Sequence, residues 1–233
     1  MTHQKKVLVV AAHPDDEILG CGGTMIRHVD EGDEVHVVFM ADGVTSRSSK
    51  ETLLDEINKR KKSAIEACKI VGTQQPVFLG LLDNQMDTYS MLEITQKLEK
   101  IIIKIEPNIV YTHNNKDLNI DHQLTHKAVM TACRPQPKRS VSKIYSFEIL
   151  SSTGWGSSTT ENVFTPNMYV DITKEWKKKL TTLGCYNNEV KSFPHARSYK
   201  SIEALAVYRG SHVGVDSAEA FYLERGVSHY YKC

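Results

Sequence analysis

Residues Val7 to Ala12 form an unbroken apolar run, Val-Leu-Val-Val-Ala-Ala. A strand turns alternate side chains to opposite faces, so a run without alternation needs cover on both sides. Such a run reads as a parallel strand inside an α/β sheet. At its carboxyl end the chain switches at once to His13-Pro14-Asp15-Asp16-Glu17. Open α/β sheets bind their ligands at that end of the strands. Two adjacent carboxylates and an imidazole there would repel and desolvate one another unless a positive charge sat among them. A divalent metal supplies that charge and leaves one carboxylate to act on a water. Acidic residues after a strand also cap helices, and Pro14 is an ordinary turn residue. The run alone leaves both readings open.

The rest of the first half repeats the strand–helix pattern. A helix is expected over Thr24 to Glu31, a strand over Glu34 to Met40, and a long amphipathic helix over Lys50 to Val71, closed by Gly72. A short strand follows over Pro76 to Leu79. Ser90 and Glu93 have capping-box spacing for a helix that Pro107 ends. Ile109 to Thr112 is the next strand, and His122 to Cys133 the next helix, with Asp121 expected as its N-cap. This alternation predicts an α/β fold with a Rossmann-like, mainly parallel sheet and helices on both faces. Right-handed crossovers put the loops 12–17, 41–49, 80–90 and 113–122 on one rim. The second half is less regular. Strands are expected near Val141–Ile149 and Met168–Ile172, and helices near Lys174–Cys185 and Ser201–Tyr208. The Ser/Thr/Gly-rich stretch from Ser151 to Thr160, around Trp155, reads as a mobile loop. One domain over 1–233 is expected, with a metal-binding half at 1–135 and a C-terminal half at 136–233 that folds over the rim to wall the pocket.

Composition excludes several classes. With 29 basic and 28 acidic residues among 233, no global field invites nucleic acid or an anionic membrane. The densest basic run, Lys59-Arg60-Lys61-Lys62, falls inside a helical pattern and reads as a solvated face. The five cysteines are odd in number, widely spaced and without a C-x-x-C, which argues against a disulfide framework and a structural zinc knuckle. No signal peptide or transmembrane span is readable, so a cytoplasmic location is expected.

The fourth rim loop supplies His113, Asp117, Asn119, Asp121 and His122. His122 and His126 lie four apart on one helical face, the spacing of two-histidine metal sites. No Glu follows His122, so this is not the H-E-x-x-H motif. His13, Asp16 and His122 would make a His₂–carboxylate set with a position open for water, as catalytic rather than structural zinc requires. Asp15 cannot easily point at the same ion as its neighbour and is left as general base. Asp121 is expected to stand behind the ligands. Gly20, Gly22 and Gly23 suggest a nucleotide-binding turn, but Met25 stands where G-x-G-x-x-G needs its third glycine. The acidic run before them would also repel a pyrophosphate.

Ala12-His13-Pro14-Asp15-Asp16-Glu17 with Gly20-Cys21-Gly22-Gly23 resembles the signature of the LmbE-like (PIG-L) N-acetylglucosaminyl deacetylase family. Asn119-Ile120-Asp121-His122 resembles its second metal motif. Phe164 to Ile172, Arg197-Ser198, Arg209-Gly210 and Ala218 to Phe221 are similar to its C-terminal half. The resemblance implies a metal-dependent hydrolase that removes acetyl groups from N-acetylated amino sugars. It implies His13, Asp16 and His122 as ligands of Zn²⁺, with Fe²⁺ or another divalent metal as alternatives, and Asp15 as base. A non-sugar amide hydrolase and a non-catalytic metal-binding module remain the alternatives. The chain departs from the family in one place: Asn119 stands where many members carry a histidine. Asn donates a hydrogen bond but is no acid near neutral pH. Either Asp15 then moves both protons, or His195 from the Pro194-His195-Ala196-Arg197 loop replaces the missing imidazole. Asp42, Arg47, Asn84, Asp87 and Asn119 are the candidates for binding sugar hydroxyls. The partner expected is a small-molecule amino sugar, with no nucleic acid and no membrane span; self-association into a homo-oligomer is left open.

Overall fold

The computed structural model describes residues 4–46, 49, 51–137, 141–156 and 163–228. In the first half the strands are β1 (Lys6–Ala11), β2 (Glu34–Ala41), β3 (Val77–Leu81) and β4 (Ile109–His113). They alternate with α1 (Asp16–Asp30), α2 (Leu53–Val71) and α3 (Met91–Ile105), and α4 (Ile120–Ala132) follows β4. The second half adds β5 (Lys143–Phe147), β6 (Met168–Asp171), α5 (Trp176–Leu183), α6 (Tyr199–Ser211) and β7 (Ala218–Gly226). Lys50, the expected start of α2, lies outside the described residues.

The sheet order is β3-β2-β1-β4-β5-β7-β6. Strands β1 to β5 are parallel, and β7 runs antiparallel between β5 and β6. The Rossmann-like, mainly parallel sheet therefore extends into the second half of the chain. Each face carries its own apolar cluster. Val7, Val9 and Ala11 meet α1, α2, α5 and α6 on one side. Leu8 and Val10 meet α3 and α4 on the other. This two-sided cover is what the unalternating run at Val7–Ala12 requires.

Two differences from the sequence reading have clear causes. Helix α1 begins at Asp16 rather than near Thr24, because Gly20 and Gly23 are contact points instead of turn residues. A Cβ on Gly23 would lie 2.7 Å from Ile172 Cγ2, and one on Gly20 would enter the Phe147 ring. The glycines let the helix lie directly on the sheet, which answers the nucleotide-turn alternative with a packing role. Strand β7 was not foreseen, because Glu219 interrupts its apolar pattern while lying in the core. Its carboxylate has a local purpose. Helix α1 is broken at Cys21 (φ −147°, ψ 25°). Glu219 accepts from the amides of Gly23 (2.8 Å) and Thr24 (2.7 Å) and from Thr24 Oγ1 (2.6 Å), capping the helix where it restarts. Lys179 Nζ from α5 completes the group, 2.7 Å from Glu219 Oε1.

Removing one member of a buried ion pair leaves the other charge without compensation, at about 3–5 kcal/mol. Glu219→Leu is accordingly expected to lower unfolding stability by that amount in urea denaturation. Adding Lys179→Met should recover part of the loss, and a single variant as stable as wild type would contradict this role. No helix among the described residues is long and apolar enough to cross a membrane.

Candidate active site

The site forms where β1, β4 and β5 end. Directly after β1 the backbone takes a strained turn: Asp15 has φ 121°, a region that non-glycine residues seldom enter. Its amide donates to Glu17 Oε2 at 2.9 Å, and its carbonyl accepts from Ile18 and Leu19 as α1 begins. This turn sends the two adjacent carboxylates to different partners. Burial pushes the Glu17 carboxyl beneath them up to about 8, against the hydrogen bond from Tyr186 Oη at 2.5 Å.

Asp16 turns toward three imidazoles. Its Oδ2 lies 3.3 Å from His13 Nδ1, 3.3 Å from His122 Nε2 and 3.5 Å from His113 Nε2. The ligating atoms of His13, Asp16 and His122 all fall within 4.8 Å of one another, and all three residues are buried. His113 belongs to the wall of this cluster. Its Nε2 accepts the Ala12 amide at 2.8 Å, which occupies that lone pair. Burial, then the neighbouring His122, holds His113 well below the ordinary histidine range, so its ring stays neutral.

The far side of each remaining imidazole is fixed by carboxylates. His13 Nε2 lies 2.9 Å from Asp121 Oδ2 and 3.1 Å from Asp83 Oδ1. His122 Nδ1 lies 3.2 Å from Asp117 Oδ1 and 3.3 Å from Ser152 Oγ. Carboxylates behind the ring set which nitrogen faces inward and raise its basicity, the usual support of histidine metal ligands. Burial disfavours both imidazolium ions, yet the surrounding carboxylates raise His13 well above its usual value and His122 to about 9. Asp16 is held well below the carboxylate range, its burial outweighed first by the charge of His122 and then by the hydrogen bonds of His122 and His13.

The carboxylates around His13 and His122 thus favour positive charge at this place, and a divalent cation would supply it. Asp16 Oδ1 and His122 Nε2 are buried without a hydrogen-bond partner among the described residues, as atoms reserved for a metal would be. The donor set of two nitrogens and a carboxylate suits zinc or iron. The residues present fit the group. Asp121→Asn should keep the fold and lower metal affinity about 10- to 100-fold, the usual effect of losing a carboxylate behind a ligand histidine. Titration with a chromogenic chelator checks this, and an unchanged affinity would contradict it.

Asp15 faces the other way. Its Oδ2 lies 3.0 Å from Arg197 Nη1 and 3.1 Å from Arg60 Nη2, while Oδ1 is buried with no hydrogen-bond partner among the described residues. Glu189 completes a square of alternating charge, 2.6 Å from Arg60 Nη1 and 3.2 Å from Arg197 Nη1. Burial raises the Asp15 carboxyl above its ordinary value, and Arg197 and Arg60 pull against it. Arg60 corrects the reading of its basic run as a solvated face. It is only 7 % exposed, whereas Lys59 lies outside on the same helix.

The sequence-predicted rim residues divide by what they touch. Asn119 and Asn84 meet, with Asn119 Nδ2 donating to Asn84 Oδ1 at 3.1 Å. Asn119, not Asp121, is the N-cap of α4: its Oδ1 accepts the Asp121 amide at 2.8 Å. This frees Asp121 to accept from the amides of Asn84 (2.7 Å) and Met86 (3.1 Å) and to hold His13. Asp42 directs its carboxylate to its own turn, accepting from the amides of Val44 and Thr45, each at 2.8 Å, and from Thr45 Oγ1. Asp87 is exposed on a 3₁₀ turn, Met86–Thr88. Arg47 lies outside the described residues. His195 accepts the Arg197 amide on Nδ1 at 3.0 Å and sets its ring against Trp155. From its loop it is Arg197 that reaches Asp15. His126, the other histidine of α4, points to Glu224 at 3.2 Å, away from the cluster.

Reading by residue type missed Asp83, Glu189 and the role of Arg60. Asp83 was legible as the acid at the end of the third rim strand; hydrogen bonds from His13 and Ser46 outweigh its burial and bring it down to about 2. Glu189 had no local signal, since only tertiary contact brings it to Arg60.

A Rossmann-like sheet whose carboxyl rim gathers two imidazoles and a carboxylate, with a second carboxylate clamped beside them, carries a candidate metal centre. The family model described as PIG-L: GlcNAc-PI de-N-acetylase matches residues 8–133, and the chain belongs to that family. It is 29% identical over 178 residues to the uncharacterized deacetylase YaiS of Escherichia coli, covering 74% of this chain and 85% of that protein. It is 25% identical over 245 residues to the 4-oxalmesaconate hydratase of Pseudomonas putida, covering 97% of this chain and 89% of that protein. In three dimensions it resembles N,N'-diacetylchitobiose deacetylase from Pyrococcus horikoshii, with a TM-score of 0.78 at 24% identity, over 96% of this chain and 85% of that one.

Proposed function

We propose that this chain is a metal-dependent hydrolase that removes the N-acetyl group from an N-acetylglucosamine-type amino sugar or its conjugate. His13, Asp16 and His122 would hold one divalent ion, Zn²⁺ with Fe²⁺ as the alternative. When bound, such an ion lowers the pKa of a water to about 7 and polarises a carbonyl oxygen.

The observation that carries the reading is the divergence of the adjacent carboxylates. A site built only to bind a metal has no use for a second acid held apart, with one buried oxygen unpaired and two guanidinium groups on the other. Asp15 takes the proton of the attacking water on Oδ1 and returns it to the departing amine. Arg60 and Arg197 favour its charged form and fix its rotamer. His195 is the second candidate for moving a proton. Because its Nδ1 accepts the Arg197 amide, the neutral ring carries hydrogen on Nε2 and offers a donor. His195→Gln is expected to flatten one limb of the pH–rate profile at unchanged metal content, and an unaltered profile would leave Asp15 as sole proton carrier.

The family's description supports an amino-sugar substrate. The charge balance around Asp15 supports a neutral one, since Arg60 and Arg197 already face Asp15 and Glu189. The test is a panel of N-acetylated sugars and conjugates, acetylated peptides and an unsaturated dicarboxylate, assayed for acetate release and for hydration. Acetate from the sugars is the expected result. Cleavage of non-sugar amides alone, or hydration without acetate release, would overturn the substrate assignment.

A further inference from the structure

Trp155 is 55 % exposed. Its indole offers a large, rigid apolar surface with a polar N–H, and it is the tethering of its turn that gives this exposure meaning. Its position ties it to the site. The side chains just before it all grip residues of the metal and base clusters. Ser151 Oγ lies 2.8 Å from Arg197 Nε, whose Nη1 touches Asp15. Ser152 Oγ donates to Asp117 Oδ2 at 3.0 Å beside His122, and Thr153 Oγ1 donates to the same oxygen at 2.6 Å. Trp155 then closes the 3₁₀ turn Thr153–Trp155. Three consecutive residues thus fasten this turn to the metal and base clusters, and the exposed indole follows two residues after Thr153.

The indole meets the His195 ring, with centroids 5.4 Å apart and planes crossing at 78°. The His195 loop is itself held, since its carbonyl accepts from the Ser198 amide (2.9 Å) and from Ser201 Oγ (3.1 Å). The edge-to-face contact steadies the indole without covering it.

We propose that Trp155 is the stacking platform for the sugar ring next to the N-acetylated one, so that the preferred substrate is at least a disaccharide. A pyranose has an apolar face of C–H groups and a rim of hydroxyls. A flat indole with two rotatable bonds meets such a face at little entropic cost. This subsite rests on the deacetylase reading.

The experiment compares N-acetylglucosamine with N,N'-diacetylchitobiose in wild type, Trp155→Ala and Trp155→Phe. For Trp155→Ala, KM for the disaccharide should rise about tenfold, or about 1.4 kcal/mol, with kcat and the monosaccharide constants within about twofold of wild type. Trp155→Phe should restore most of the loss. Equal effects on both substrates, or none on either, would overturn the platform. Binding is also read without turnover, by titrating tryptophan emission with chitobiose, which lacks the acetyl groups. A saturable change in wild type that disappears in Trp155→Phe, where Trp176 remains, is expected. If no sugar is deacetylated but this change is seen, the platform stands and the reaction assignment falls. If sugars are deacetylated and no change is seen, the platform falls and the reaction assignment stands.

Discussion

Asp15→Asn is expected to leave metal content unchanged and to lower kcat to at least the upper end of the roughly 10²–10⁴-fold range of general acid–base groups. The substitution keeps shape, and Asn tolerates positive φ better than most residues, so the turn that separates positions 15 and 16 should persist. Arg60 and Arg197 keep an oxygen acceptor. What disappears is the basic lone pair on the buried oxygen and the negative charge opposite two guanidinium groups. A group that serves both proton transfers loses both at once, which places the effect at the top of the range. Stopped or steady-state acetate assays, paired with metal analysis of the same sample, check it. Normal turnover at normal metal content would remove Asp15 from the reaction.

His122→Ala is expected to abolish tight metal binding and, with it, turnover. Two of the proposed ligands would remain at β1's carboxyl end, His13 and Asp16, three positions apart in one turn. They lose the nitrogen that closes the set from α4. Asp117 would also lose the imidazole it holds at 3.2 Å, and Ser152 its neighbour. Metal stoichiometry after gel filtration should fall close to zero. His126→Ala, one helical turn further on, serves as control: its imidazole is engaged by Glu224 outside the cluster, so metal content should not change. Loss of metal from His126→Ala with retention in His122→Ala would mean that the wrong face of α4 had been assigned.

Much of this architecture was legible in the sequence because burial and periodicity leave direct traces. The run Val7–Ala12 needed cover on both faces and has it. The switch to His13 and the acidic pair marked the carboxyl rim, and the place of His122 at the end of the fourth rim loop brought it there, while its i, i+4 partner His126 turned to Glu224. What stayed hidden depends on contacts distant in the chain. Gly20 and Gly23 looked like turn residues until Phe147 and Ile172 were seen pressed against them. Glu219 concealed β7, because a carboxylate in a core strand makes sense only beside a broken helix and Lys179. Arg60 hid in a lysine-rich run, since helix phase alone does not say which basic residue faces Asp15 and Glu189. The cap of α4 moved from Asp121 to Asn119 for a simpler reason. Either can cap a helix, and the choice was made by Asp121 accepting from the amides of Asn84 and Met86 while holding His13.

The central claim is that a divalent ion held by His13, Asp16 and His122 drives removal of an acetyl group from an amino sugar. Its most direct test is acetate release from N,N'-diacetylchitobiose by chelator-stripped protein as Zn²⁺ or Fe²⁺ is returned stepwise. The account expects no acetate from the stripped protein, and a rise that reaches its plateau at one ion per chain. A stripped protein that releases acetate at the full rate, or a fully metal-loaded one that releases none, would contradict it.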